Sequence, residues 1–251
     1  LYISGTGPMA DYQLGKTPWH CFHHIIRNIT IDEGITAIGS FSFYHCYILP
    51  NFSLPASVTS IGAYAFARCD NLTKIYNGLC LNYLGEYAFY NCTNFVSLTP
   101  IVNSTSIKPY TFYRTQAHIS LTNFVTAIED SAFEISKNVV ISCTAKQSNI
   151  RTVKSRAFYS AQNIYIGNLL TNIQTIEPYS FGYISIASLN TTFLHLQSIP
   201  SYAFYGSRRI GSITLEVATS ISSYAFTSSD LNSINIGSSL RSLELNAFPE
   251  A

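Results

Sequence analysis

The sequence has few charged residues, and this limits the partners that the chain can bind. Only 11% of its 251 residues are charged, against roughly 25% in an average soluble domain. The 14 basic side chains nearly balance the 13 acidic ones. Nucleic-acid binding normally leaves a basic patch, so we expect no nucleic acid as a partner. The surface must be polar and uncharged, built from Ser, Thr, Asn and Tyr.

Long apolar runs and catalytic motifs are also missing. No run of about eighteen apolar residues occurs, so the sequence predicts no membrane-spanning helix. It contains no phosphate loop, no nucleophile elbow and no helix-borne His pair with an acid, so we expect neither an enzyme nor a cofactor. No signal peptide opens the chain, and its abrupt start and end lead us to expect a portion of something longer.

A histidine-rich segment near the start resembles a metal site at first sight. It reads Trp-His-Cys-Phe-His-His over residues 19–24. A structural metal needs three or four ligands that converge on one point, and no second cluster supplies the remainder at a recognisable spacing. We therefore expect no metal here, and interpret the segment as a polar wrap around the beginning of the fold.

A recurring phrase defines the architecture. It reads SIGAYAFARC at 60–69, YLGEYAFYNC at 83–92, SIPSYAFYGS at 198–207 and SISSYAFTSS at 220–229. Its aromatic residue returns at intervals of 21 to 25 residues, as Phe43, Phe66, Phe89, Phe112, Phe133, Phe158, Phe181, Phe204, Phe226 and Phe248. A period of roughly 20–29 residues is typical of a leucine-rich repeat solenoid. The ten phenylalanines are expected to form one buried column.

Each repeat is predicted to hold one parallel strand and one short helical or 3-10 turn. Inward strand residues recur at a fixed spacing, as in Leu49, Phe52 and Leu54. Small residues precede the repeat Phe, and Pro recurs where a helical turn would begin. We expect the coils to stack into a right-handed, curved solenoid. Residues 1–24 break the pattern and predict an N-terminal cap plugged by Trp19. Residues 25–251 would hold about ten repeats with an uncapped C-terminal end, which predicts self-association there.

The motifs resemble the BspA-like leucine-rich repeat family. The phrase I-G-x-Y-A-F-x-x-C, the 23-residue spacing and the leading LYISGTGPMADY with a following Pro-Trp carry the resemblance, which covers essentially the whole chain. It is weakest at 134–150. The resemblance implies no shared catalytic motif, and a surface or secreted protein of anaerobic bacteria or parasitic protozoa that adheres to host matrix proteins or neighbouring cells. A structural spacer or self-assembling coat, and carbohydrate recognition, remain alternatives.

One residue per repeat is predicted to face outward from the strand. In order, these residues are Thr30, Ser53, Tyr76, Thr99, Ser120, Val140, Tyr165, Asn190, Thr214 and Asn235. The concave strand face of a solenoid is its usual binding surface. None of the ten is charged, so polar and aromatic contacts would have to supply affinity. Tyr76 and Tyr165 are the predicted anchors.

Three further patterns recur. Cys46, Cys69 and Cys92 follow the repeat Phe in a column that later holds Thr, Ser or Ala, which predicts buried thiols; Cys21, Cys80 and Cys143 have no evident partners. Six tyrosines lie two residues before the repeat Phe and are expected to pack between coils. Sequons mark glycosylation candidates at Asn103, Asn28, Asn51 and Asn190. Asn71 and Asn91 flank the small-residue column, and we expect Asn103 to be occupied before Asn91.

Overall fold

The chain winds into a solenoid of parallel strands. The computed structural model describes residues 1–144, 148–186 and 190–249. Within these ranges there are 25 short strands and two 3-10 helices, and every strand pair is parallel. No helix of the described residues has the length and apolarity to cross a membrane.

The strands are two to four residues long. The first thirteen are β1 Tyr2–Ile3, β2 Gly7–Pro8, β3 Thr30–Ile31, β4 Ile35–Ile38, β5 Asn51–Leu54, β6 Ser60–Ile61, β7 Lys74–Asn77, β8 Cys80–Leu81, β9 Tyr83–Leu84, β10 Ser97–Leu98, β11 Ile101–Val102, β12 Ser106–Ile107 and β13 His118–Leu121. The others are β14 Ala127–Ile128, β15 Val140–Cys143, β16 Thr152–Val153, β17 Gln162–Ile164, β18 Thr175–Ile176, β19 Ser185–Ile186, β20 Thr191–Phe193, β21 Ser198–Ile199, β22 Ser212–Leu215, β23 Ser220–Ile221, β24 Ser233–Ile236 and β25 Ser242–Leu243. The 3-10 helices are His20–Phe22 and Gly167–Leu170.

Each coil contributes two parallel strands, where the sequence predicted one. The predicted strand forms a first-strand sheet, whose longest run is β5-β7-β10-β13 with β15 beside β13. The apolar residue before the repeat Phe lies on a second strand, and these pair as β2-β4-β6-β9, β12-β14-β16-β18 and β21-β23-β25. In the weakly matching segment 134–150, β15 pairs with β13 over four residues, and residues 145–147 lie outside the described ranges.

The predicted helical turn around the repeat Phe is wrong. Each turn instead contains left-handed residues two before and two after the Phe, such as Tyr64 with φ 55° and Arg68 with φ 60° around Phe66. Left-handed backbone is uncommon outside Gly, so the arrangement must be held by other bonds. The described 3-10 helices lie elsewhere in the chain.

Alternating hydrogen bonds hold this turn. The N–H groups of Phe41, Phe43 and His45 donate to carbonyls of the next coil at 2.8–2.9 Å. The N–H groups between them, of Ser42 and Tyr44, donate three residues back within the same turn at 3.2–3.3 Å. One set closes the turn and the other joins coils, so every amide of the segment is bonded without a helix.

The phenylalanines form the predicted column. From Phe43 to Phe226 each is completely buried, and successive ring centroids are 5.1–5.6 Å apart along the whole series to Phe248. Trp19 stacks on Phe43 with centroids 6.0 Å apart. The prediction of a core column is confirmed.

The tyrosines also stack between coils, as predicted, but in two separate runs. Phe41, Tyr64, Tyr87 and Tyr110 stack at 4.5–4.7 Å. A second run joins Tyr179, Tyr202 and Tyr224 at 4.8–5.1 Å. Burial, and then the neighbouring tyrosines, raise the pKa of Tyr87 to about 12, so Tyr87 stays uncharged at any physiological pH.

A half-buried ion pair fills the break between the two tyrosine runs. Arg156 occupies the tyrosine position of its coil, and its guanidinium donates to the Glu134 carboxylate at 2.6 Å. It also lies over the Tyr159 ring, 4.2 Å from the centroid. Because Glu134 is buried, Arg156 compensates a charge that would otherwise be costly.

Residues 1–24 supply hydrogen-bond donors to the first full coil. Strands β1 and β2 pair with β3 and β4. The Tyr12 N–H donates to the Ser40 carbonyl at 3.0 Å, and the Trp19 indole N–H donates to the Ser42 carbonyl at 2.7 Å. In later coils the equivalent carbonyls accept from the preceding coil, so this segment takes that coil's place.

The three cysteines in the small-residue column are free and buried. The Cys69 thiol lies 3.1 Å from the Phe43 carbonyl, and the Cys92 thiol 2.9 Å from the Phe66 carbonyl. Ser136 and Ser207 donate to the equivalent Phe carbonyls in later coils. The slot therefore holds a small side chain in most coils, and a donor there can bond to a Phe carbonyl. Ala161 and Ile184 fill the same slot without a donor.

Thiol labelling should separate these cysteines from the exposed one. Burial raises the pKa of Cys46 to about 12 and raises that of Cys69 well above its ordinary value, so neither offers thiolate to a reagent at neutral pH. With Ellman's reagent on the native protein, we expect Cys21 to react at least tenfold faster than Cys46, Cys69 and Cys92. Equal rates for all six thiols would contradict the buried column.

Candidate functional site

The outward face of the first-strand sheet is the candidate interaction surface. Strand register places Ser53 beside Tyr76 and Thr214 beside Asn235, as predicted. Thr30 pairs with Tyr2 of the N-terminal segment. These residues hold one position of the repeat, a row that is divided among three sheets: β1-β3, the sheet that runs from β5 to β15, and β20-β22-β24. Thr99 follows the end of β10.

Three predicted positions do not share that row. Ser120 pairs with Ser142, whereas Val140 pairs with His118. Thr214 pairs with Thr192, so Asn190 lies two residues before the row. An error of two residues keeps a side chain on the same face of a strand but moves it along the strand. Ser142 and Thr192 therefore replace Val140 and Asn190 in the row.

Tyr165 belongs to a neighbouring row. Tyr165 forms a β-bridge with Val140, and Val140 pairs with His118. The same row continues through Ser97 to Lys74. The exposed fraction of Tyr165 is 64% and that of Tyr76 is 37%. The two tyrosines therefore offer aromatic area at separate places on the face.

The polar side chains of this face are bonded to one another between coils. The Ser120 and Ser142 hydroxyls lie 3.0 Å apart, and the Asn77 amide donates to the Ser53 hydroxyl at 2.7 Å. Such bonds hold the face in one arrangement, which reduces the conformational entropy that a partner must remove on binding.

A histidine cluster that the sequence did not predict lies beside the N-terminal segment. The rings of His20 and His23 stack at 5.3 Å, and those of His23 and His45 stack at 5.3 Å. His24 contacts His23 edge-on at 5.6 Å. In the described ranges, no group of three His, Cys, Asp or Glu side chains has the arrangement of a metal site. His45 was missed because it belongs to a repeat, 22 residues beyond His23.

This cluster should make the fold sensitive to acid. Burial lowers the pKa of His45 below its ordinary 6.5; His23 and Arg68 lower it further, and Asp70 opposes them. As the pH falls through about 6.5, the unfolded chain binds a proton that the folded chain does not. Stability is therefore retained above that pH and lost below it. We expect the melting temperature to fall between pH 7 and pH 5.

The matched variant is His45→Asn. His45 has φ 61°, a conformation that Asn tolerates, and Asn does not titrate. Its melting temperature should fall less between pH 7 and pH 5 than that of the wild type. Identical pH profiles for the two proteins would show that the stacked histidines do not set the acid sensitivity.

The glycosylation candidates differ in accessibility. Asn28, Asn51 and Asn190 are exposed. The Asn103 amide donates to Asn82 at 3.1 Å, and its side-chain oxygen accepts from Thr122 at 2.7 Å. A glycan would be attached to the amide nitrogen that donates to Asn82, so that bond competes with modification, whereas the side-chain oxygen can still accept from Thr122.

The parallel coils and their aromatic column define a leucine-rich repeat solenoid. A leucine-rich repeat protein from Bacteroides ovatus ATCC 8483 has a similar fold, with TM-score 0.54 and 15% identity over 84% of this chain and 66% of that chain. One from Eubacterium ventriosum ATCC 27560 gives TM-score 0.43 and 19% identity over 99% and 80%. The chain thus spans slightly less than two thirds of the first structure. No curated protein matches the sequence.

The family follows from the sequence match. The family model described as the BspA type leucine-rich repeat region, with six copies, matches residues 18–140 and 140–251. Because these segments cover most of the chain, the protein belongs to the BspA-type leucine-rich repeat family.

Proposed function

We propose that this protein is a non-catalytic, cell-surface or secreted binding solenoid that engages extracellular proteins through its first-strand face. The observation that carries this proposal is the row of uncharged, mutually bonded polar residues in which Tyr76 stands exposed, with Tyr165 exposed in the next row. Exposed tyrosines on a rigid polar surface are the residues most often found as interface anchors. The family resemblance supports host matrix or neighbouring-cell proteins as the partners.

The test is saturable binding to a panel of immobilised matrix proteins, with and without added glycans. The variant Tyr76→Ala/Tyr165→Ala should bind the positive matrix protein at least tenfold more weakly, since a hot-spot residue contributes about 2 kcal/mol or more. Tyr83→Ala is the matched control, because Tyr83 is exposed on the second strand. Unchanged binding by the double variant would refute the anchor assignment, and loss of binding in added glycan would favour carbohydrate recognition.

A structural spacer or self-associating coat is the second candidate. Leu231, Ile234 and Ile236 of the last coil are only partly buried, whereas their counterparts in the preceding coil are fully buried. Such apolar surface favours burial against a further coil or against another chain. This function predicts that no matrix protein in the panel binds and that the double tyrosine variant changes nothing.

A further inference from the structure

The first-strand sheet is interrupted between the first two full coils. Within the described chain, β3 pairs with β1 and β5 pairs with β7, but β3 and β5 are not paired. The second-strand sheet continues through the same two coils from β4 to β6. The turn ladder also continues, from the Phe43 N–H to the Ala65 carbonyl at 2.8 Å. The two coils are therefore joined everywhere except at the first strand.

A proline accounts for the gap at the start of β5. In the two following coils, the Thr73 N–H donates to the Pro50 carbonyl and the Val96 N–H donates to the Thr73 carbonyl, both at 2.8 Å. Residue 50 holds the same position in its own coil. Because Pro has no N–H, it cannot make the equivalent bond to the coil before it.

A second proline removes the donor at the other end. Where β22 meets β24, the Gly237 N–H donates to the Leu215 carbonyl at 2.9 Å, and Pro55 holds the position of Gly237 in its coil. A side chain bridges the coils just beyond: the Glu33 carboxylate accepts from the Ala56 N–H at 3.2 Å. This side-chain bridge closes the opening at that end. Between β3 and β5 themselves the described chain has no main-chain hydrogen bonds.

Strand alternation identifies the main-chain groups that line the opening on the β3 side. The Thr30 N–H donates to the Leu1 carbonyl at 2.9 Å, and the Asn28 carbonyl accepts from the Leu1 ammonium at 2.9 Å. Asn28 and Thr30 therefore face β1. Successive residues of a strand direct their N–H and C=O groups to opposite sides, so Ile29 and Ile31 face β5.

The same reasoning applies to β5. The Ser97 N–H, at the position of Asn51, donates back to the Thr73 carbonyl at 3.2 Å. The Thr99 N–H, at the position of Ser53, donates back to the Ile75 carbonyl at 3.0 Å, so Phe52 and Leu54 face β7. Asn51 and Ser53 are left to face β3. Each of these four opposed residues, two on each side, presents one N–H and one C=O to the opening, and no hydrogen bond within the described ranges joins these groups across it.

The opening has the size of a ligand site. Its volume is about 890 Å³, and it is lined by both strands and by residues 76–79 of the next coil, within the roughly 300–1,000 Å³ of known sites. Glu33 is the one charged residue among the described lining residues, and its carboxylate is already bonded to main-chain N–H groups. An uncharged ligand fits this chemistry.

We propose that the opening binds an extended, uncharged segment of another protein, which inserts as a strand between β3 and β5. This inference rests on the proposed function and names the form in which the partner is recognised. An added strand satisfies main-chain groups that repeat every second residue, a spacing that a sugar ring does not match. Tyr76 and Leu79, exposed beside the opening, contact side chains of the inserted segment.

Matched proline variants test whether the opening exists in solution. Ser53 and Thr99 hold equivalent positions, but the Thr99 N–H donates to the Ile75 carbonyl at 3.0 Å. Thr99→Pro breaks that bond and should lower the melting temperature by about 5 °C or more. Ser53→Pro breaks no ladder bond and should change it by no more than about 2 °C relative to Ser53→Ala. An equal fall for both proline variants would show that β3 and β5 are bonded, and would overturn the proposal.

Binding is tested with a blocked heptapeptide of alternating Thr and Val, and with the same peptide N-methylated at every second residue. The plain peptide should bind the wild type and Ser53→Ala. The N-methylated peptide, and the plain peptide on Ser53→Pro, should bind at least tenfold more weakly. No plain-peptide binding at about 1 mM, or equal binding in all cases, would overturn the inference. Binding of free glycans in place of the peptide would assign the opening to sugar.

The matrix panel separates this inference from the proposed function. Matrix-protein binding without peptide binding removes the strand-insertion inference alone. Peptide binding with a negative panel supports the inserted strand and removes matrix adhesion.

Discussion

Phe112→Ala should lower the free energy of unfolding by about 3–5 kcal/mol. Phe112 is completely buried, and its ring lies 5.5 Å from that of Phe89 and 5.3 Å from that of Phe133. Truncation leaves a cavity between two coils that the turn ladder holds at fixed spacing, so the neighbours cannot close it. The loss should therefore lie near the upper end of this range.

Urea titration of Phe112→Ala and Phe124→Ala measures the effect. Phe124 is 64% exposed, so its truncation should change the free energy of unfolding by no more than about 0.5 kcal/mol. Phe248→Ala should fall between the two, because the last ring of the column is only partly buried. A melting shift below about one degree for Phe112→Ala would mean that the column does not carry the core.

Gly85→Ala should be a damaging change of one methyl group, with a loss of about 2–3 kcal/mol. A Cβ at this position would lie 2.5 Å from the Ala63 nitrogen and 2.6 Å from the Gly62 carbonyl carbon. These are main-chain atoms of the preceding coil, so the coils themselves must separate. The requirement is for close approach, since the backbone of Gly85 is not left-handed.

Lys108→Ala is the matched control for Gly85→Ala. Lys108 holds the same position 23 residues later, where a side chain is already accommodated, so its truncation should cost no more than about 0.5 kcal/mol. Thermal melting of both variants decides the question. If Gly85→Ala and Lys108→Ala have the same melting temperature, the first coils can move apart without a loss of stability. The glycines at 39, 62 and 85 would then not be needed for packing.

The core could be predicted because it depends on large side chains at a fixed period. One Phe in every coil is buried most simply by stacking on the Phe of the next coil, and Phe66 and Phe89 stack in this way. The turn could not be predicted in the same way. Ala65 before Phe66 suits a helical turn as well as a left-handed one. Main-chain hydrogen bonds to the next coil decide between the two turn conformations, and such bonds do not require particular side chains.

The strand positions of the candidate face were predicted correctly in some coils and missed in others. Repeat length explains only part of this, since Tyr165 and Asn190 lie in repeats of 23 residues. Ser53 and Tyr76 lie in adjacent coils of equal length and were placed correctly. Val140 lies in the lengthened repeat, and a shift of two residues there moved the predicted row. The opening at β5 had a signal that was overlooked: Pro50 and Pro55 occupy positions where other repeats hold bonded N–H groups.

The hydrogen bonds of the turn column all point the same way along the solenoid. From Phe43 to Phe226, each repeat Phe N–H donates to the coil that follows. The column therefore has a polarity, with carbonyls toward the N-terminal end and N–H groups toward the C-terminal end, opposite to the polarity of an α-helix. Two such solenoids could extend the column only head to tail, a contact that builds open filaments. Tyr12 and Trp19 already bond to the carbonyls at the N-terminal end, so residues 1–24 prevent that polymerisation.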